Sequence, residues 1–295
     1  MTPLRNRLLL VAAAVLFSTG GAAIKAAALT GWQIASFRSG VAAAALLLAL
    51  PAARREWSWR VLPVGAAYAA TLILFTLATR LTTAANAIFL QATAPLYVLL
   101  LGPLLLREPI RRSDILYILA IASGMALFSL GTEKAMATAP DPHTGNLCAA
   151  ASGLTYALAL AGLRWVSRRK AGSAGMAAVA AGNVMACLAA LPMALPVERT
   201  GAASVAVVLY LGVFQIGLAY WCLTHAIRHV TAFEATTVLL LEPALNPVWV
   251  WLIHGERPGA WPLAGGAVIL GATLANTWRQ RRELPGPGCT CAPTS

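Results

Sequence analysis

Charge is scarce in this chain: Asp, Glu, Lys and Arg make up 11% of its 295 residues, where a soluble domain carries roughly 25%. A water-facing globule cannot clothe its surface with so little, which excludes a soluble enzyme and a disordered chain. Five cysteines are too few and too scattered for a disulfide framework. Cys148, Cys187 and Cys222 fall in apolar stretches, and Cys289 and Cys291 lie in a Pro/Gly tail expected to be cytoplasmic, reduced and disordered. The four histidines (His143, His225, His229 and His254) show no metal-ligand spacing. There is no G-x-x-x-x-G-K-[ST] loop, so ATP hydrolysis by this chain is not expected. Neither H-E-x-x-H nor a Ser/His nucleophile–base pair is present, so an intramembrane enzyme lacks its tools. No cofactor is implied.

Apolar residues dominate instead, at 59% with a mean hydropathy of +0.72. Ten stretches emerge, at 7–29, 32–50, 61–79, 84–106, 113–131, 145–166, 174–195, 203–226, 232–253 and 261–278. Each approaches the ~20 residues needed to cross a hydrocarbon core. The expected fold is an all-α polytopic membrane protein with the lipid bilayer as its solvent. Arg5 and Arg7 before the first stretch mimic a signal peptide, but Lys25 and the long apolar run mark a retained helix.

The net charge of +12 follows the loops rather than forming a nucleic-acid face. Sixteen of the 22 cations fall on one side of an alternating topology and four on the other, with Lys25 and Arg38 inside helices. The positive-inside rule then puts both termini in the cytoplasm. Nineteen of those cations are Arg, and with abundant Ala and Gly this points to a GC-rich bacterial genome and an inner membrane.

The chain repeats itself. Ala94-Pro95 followed by Glu108-Pro109 recurs as Glu242-Pro243 followed by Glu256, 148 residues later. Five helices per half would insert the second copy upside down, an architecture of secondary carriers with a midplane substrate site. The expected units are residues 1–135, residues 144–279 and a tail at 280–295.

Particular residues now resemble a family. Phe17-Ser18-Thr19-Gly20-Gly21 with Lys25, Ser36-Phe37-Arg38, and Pro95 with Leu106-Arg107-Glu108-Pro109 resemble the first EamA repeat of the drug/metabolite transporter superfamily. Glu242-Pro243, Gly255-Glu256 and the run Gly265 to Gly271 are similar to the second. Within that superfamily the chain looks most like the bacterial aromatic amino acid exporters. The resemblance implies a ten-helix carrier of two inverted repeats that exports small metabolites or drugs. Helices six and seven show no counterpart of Lys25 or Arg38.

Ionisable groups in hydrocarbon are expensive, about 2.5–3.5 kcal/mol each on insertion scales. Lys25 either borders a cavity through the small face of Ser18, Gly21 and Ala22 or snorkels outward. Arg38 needs a carboxylate, helix-end carbonyls or a substrate carboxylate. Glu242 is the acid nearest the middle of a membrane helix and shares a face with Asn246 and Trp249. It suits a substrate ammonium, a coupling proton, or an ion pair with Arg38 or Lys25. Tyr68, Asn86, Gln91, Tyr156 and Gln215 complete the expected lining of a cavity for a small-molecule substrate. An exporter of cationic drugs and a passive facilitator are the competing readings, and no nucleic-acid partner is expected.

Overall fold

A computed structural model describes residues 3–55, 57–105, 112–130, 135–167, 174–197, 200–226, 229–230 and 232–283. The motifs at Leu106-Arg107-Glu108-Pro109, Cys289 and Cys291 lie outside the described residues. The helices are α1 (Pro3–Ser18), α2 (Gly20–Ala26), α3 (Gly31–Ala49), α4 (Pro51–Arg55), α5 (Val61–Leu81), α6 (Ala84–Gln91), α7 (Ala94–Leu105) and α8 (Arg112–Leu130). They continue as α9 (Pro142–Ser167), α10 (Ala174–Ala194), α11 (Ala202–Tyr210), α12 (Ala219–Ala226), α13 (Ala232–Leu239), α14 (Leu241–His254) and α15 (Ala260–Glu283). A π-helical segment, Leu211–Leu218, joins α11 to α12. No strand occurs among the described residues.

Eight of the described helical runs are long and apolar enough to cross a membrane, where the sequence led us to expect ten. Asp114–Phe128 forms a shorter apolar helix. The other difference is α15, whose last turns carry Asn276, Arg279, Gln280 and Arg282 and dilute its apolar content. It also runs to Glu283, into the segment read as a tail.

Two expected helices are broken at matching places. The fourth stretch splits at Ala92–Thr93, just before Pro95, and the ninth at Leu240, just before Pro243. Proline has no N–H, so the carbonyls one turn earlier, Gln91 and Leu239, lose their helical partner. The break positions 92 and 240 are again 148 residues apart. A further break at Thr19 has no proline near it.

The centre is built by α5, packed on α9 and α10, with α3 between α10 and the π segment. Its core includes Tyr68, Leu72, Leu46, Met176, Val179 and Ile216. A second core joins Phe89, Tyr117, Ile121, Phe128 and Ile269 where α15 lies along α8. Gly124 and Gly265 let those two helices touch through backbone, since a Cβ on Gly265 would lie 2.6 Å from the Gly124 carbonyl oxygen.

Loops sort into two ends. Trp59, Arg60 and Trp165 meet at one, the two indoles 5.9 Å apart with the guanidinium 5.4 Å from the Trp165 ring. Asp114 and Arg279 form an ion pair at that same end. Trp251 and Trp261 stand exposed toward the other end, and Trp57, Trp59, Trp165 and Trp278 are exposed toward the first. Tryptophans at helix ends of membrane proteins commonly sit at the level of the lipid headgroups.

Candidate functional site

Glu242 stands in the first turn of α14, immediately after the break at Leu240. It is half-buried, and among the described residues its carboxylate has neither a hydrogen bond nor an ion pair. Tyr68, Tyr156 and Tyr220 lie within electrostatic reach of it. Those phenols come from α5, α9 and α12, so four elements converge. Tyr68 and Tyr220 meet edge to face at 6.0 Å, and Phe17 meets Tyr220 in the same manner at 5.2 Å. Gly182 on α10 allows the close fit of Tyr68, whose Cδ1 would lie 2.6 Å from a Cβ there. Asn183 also neighbours the Tyr68 hydroxyl.

Arg38 is 2% exposed and approaches the same tyrosine. Its Nη2 donates to the Leu72 carbonyl at 3.0 Å, while Nε has no partner. The expected carboxylate or helix end is absent here. The partner is a carbonyl inside α5, which also accepts from the Thr76 hydroxyl at 2.7 Å. Glu242 therefore pairs with neither Arg38 nor Lys25, unlike one of the alternatives read from the sequence.

Gln215 and Asn246 lie beside this cluster, against the break in the first stretch. Gln215, on the π segment, is placed over Gly20, and Asn246 over Gly21, where a Cβ would come within 2.5 Å of its Oδ1. Both side chains are buried, and Gln215 Oε1 and both Asn246 amide atoms are without partners. Trp249 Nε1 donates to the Ser18 hydroxyl at 2.8 Å one turn further along α14. Gln91, next to the fourth-helix break, donates to the Ser152 hydroxyl at 3.2 Å. Gly153 lets α9 pass that break closely, with 3.1 Å between a Cβ built there and the Leu90 carbonyl oxygen.

Lys25 and Asn86 are elsewhere. Lys25 Nζ is 2.8 Å from Glu256 Oε2 and donates to the Thr82 carbonyl at 2.9 Å and to the Thr138 carbonyl. It neither snorkels nor reaches the tyrosines. Glu256 Oε1 accepts the Ala84 amide at 2.7 Å, capping α6. Gly255 makes this possible: its φ of +66° ends α14 in the left-handed region that favours glycine, and its amide donates to the Trp251 carbonyl at 2.9 Å. Asn86 Nδ2 and the Thr82 hydroxyl both donate to Asn146 Oδ1, at 3.1 and 2.8 Å. Hydrogen bonds from Thr144 hold the exposed Asp141 carboxyl below the usual carboxylate range at the start of α9.

Of the residues singled out in the sequence, Glu242, Tyr68, Tyr156 and Arg38 lie close together, and Gln215 and Asn246 lie beside them. The sequence did not show that Tyr220, Phe17 and Asn183 neighbour Tyr68 or one another, nor that Lys25 pairs with Glu256. Glu256 was visible as the repeat mate of Glu108, but its partner lies 231 residues away along the chain.

A solved crystal structure 20% identical in sequence matches 95% of this chain and 99% of its own, with a TM-score of 0.61. That likeness establishes a shared fold. The sequence profile of the EamA-like transporter family matches residues 6–130 and again 143–278. With both halves matched separately and apolar helices long enough to span a bilayer, the chain belongs to the EamA-like transporter family, whose members are membrane transporters rather than enzymes.

Proposed function

We propose that this protein is a secondary-active exporter of small zwitterionic metabolites, amino acids including aromatic ones, working by alternating access. The observation that carries the reading is Glu242: a carboxylate without a partner among the described residues, partly accessible and faced by three tyrosines. An unpaired acid at that depth is costly, and such residues mark substrate or proton paths. Its role is to receive the substrate ammonium or to carry a coupling proton. Arg38, with its Nε unsatisfied, supplies positive charge for the substrate carboxylate. Tyr68 and Tyr156 flank the side chain of the cargo, and Gln215 Oε1 and the Asn246 amide offer unpaired polar atoms. Gln91, Asn86 and Lys25 hold the surrounding frame. In this reading residues 1–135 and 144–279 are inverted five-helix repeats in a bacterial inner membrane, with both termini cytoplasmic.

Glu242→Gln tests it. Export of a labelled aromatic amino acid from cells should fall at least tenfold at unchanged protein level in the membrane. Undiminished export would remove Glu242 from the mechanism. Counterflow in proteoliposomes separates carrier from pore, since only a carrier shows trans-stimulation. A second reading, export of amphipathic cations, draws on the same carboxylate with its aromatic neighbours, a setting that attracts cations. Arg38→Met distinguishes the two: it abolishes zwitterion export and spares cation export.

A further inference from the structure

Lys25 and Glu256 tie the two profile-matched halves together at one end of the molecule. Lys25 lies in the last turn of α2, and Glu256 follows α14. Their side chains are 3% and 1% exposed. Each charge is set where helix dipoles favour it, the cation at the C-terminal end of α2 and the anion at the N-terminus of α6. Arg80 adds a second cation there, its Nη1 3.4 Å from the Ala27 carbonyl oxygen. The pair also draws in Thr82 and Thr138, so segments far apart in the chain close over one point.

The location matters as much as the bond. Glu242 lies roughly 20 Å along α14 from this pair, at 1.5 Å per residue. The opposite end of the bundle holds Trp59, Arg60 and Trp165 instead. Lys25 and Glu256 therefore close the bundle at the end beyond the C-terminus of the helix that carries Glu242. A buried ion pair is a poor source of stability compared with apolar packing, but removing one partner strands the other charge. Such a contact suits a joint that must be either made or fully hydrated. Resting on the carrier reading above, we infer that the Lys25–Glu256 pair is the outer gate, shut in this conformation, and that outward opening requires it to part.

The test reads accessibility, not transport. With the five native cysteines replaced by serine, a Tyr156→Cys reporter is reacted in intact cells with a membrane-impermeant methanethiosulfonate. Glu256→Gln should raise its labelling rate at least tenfold, and the charge exchange K25E/E256K should return it to the parent rate. In inside-out vesicles the same Glu256→Gln change should lower labelling. An unchanged rate in a Glu256→Gln protein that accumulates and melts like its parent overturns the gate. If Glu256→Gln fails to accumulate, Glu256→Asp, which keeps the charge but shortens the reach, is read in its place by the same rates. Because labelling needs no substrate, failure of the gate and failure of the Glu242 reading appear in different experiments.

Discussion

Arg38 is enclosed by the bundle, yet its guanidinium makes one hydrogen bond in the structure, to an interior carbonyl at 3.0 Å. Burying a charge without an acid costs several kcal/mol. On the carrier reading such a residue serves binding rather than stability, and the trade-off has a measurable sign. Arg38→Met keeps the length and removes the charge. Its thermal midpoint in detergent should equal or exceed that of the parent, while amino acid export falls at least tenfold. A midpoint several degrees lower would make Arg38 a structural residue. The sequence marked Arg38 as anomalous because a charge seven residues inside an apolar helix has no easy escape. It did not reveal Leu72, because any carbonyl on a facing helix can play that part and only the packing of α3 on α5 selects one. Tyr220 stood in the eighth stretch beside Gln215 and Trp221, with nothing to say which neighbours it meets. An aromatic residue inside an apolar stretch is ordinarily packing, and its meeting with Tyr68 and Phe17 depends on three separate elements.

At the level of elements, the sequence invites a kink only in the ninth stretch, where Pro243 and Pro247 each remove a backbone donor; the chain breaks before Pro243 but α14 continues through Pro247. The break at 92, before Pro95, has the same backbone chemistry but was not read from the sequence. Thr19 and the π segment carry no such signal. Both are explained after the fact by Gln215 and Asn246, which lie against the glycines of the first break. The crossing of α8 and α15 could not be read from the sequence, where Gly265 and Gly266 name no partner helix. It is now specific, since Gly265 faces the Gly124 carbonyl oxygen and the Phe128 ring. Gly265→Val forces a backbone collision that no side-chain rotation relieves. Overpacking of this kind costs about 1–3 kcal/mol. Thermal unfolding should show that loss, while Gly271→Ala, where nothing lies within 4 Å, should leave the midpoint unchanged.

For the whole molecule, hydropathy and charge alternation carried the reading furthest. Both rest on the solvent, and a bilayer imposes its demands on every span alike. What they leave out is convergence: Lys25 looked like a candidate ligand because its side chain was judged within its own helix, while Glu256 was judged within another. The separation of Trp59 and Trp261 to opposite ends yields a direct check of sidedness. In a cysteine-free background, Ser58→Cys should react with an impermeant thiol reagent only in inside-out vesicles, and Gly259→Cys only in intact cells. The reverse pattern would turn the protein over. Glu256 adds a consequence for kinetics. Its two oxygens serve an ammonium and a backbone amide at once, so swinging it aside deprives both together. Intermediate widths of the outer mouth are thereby disfavoured, and single-molecule records of this protein should show abrupt two-level switching instead of gradual drift.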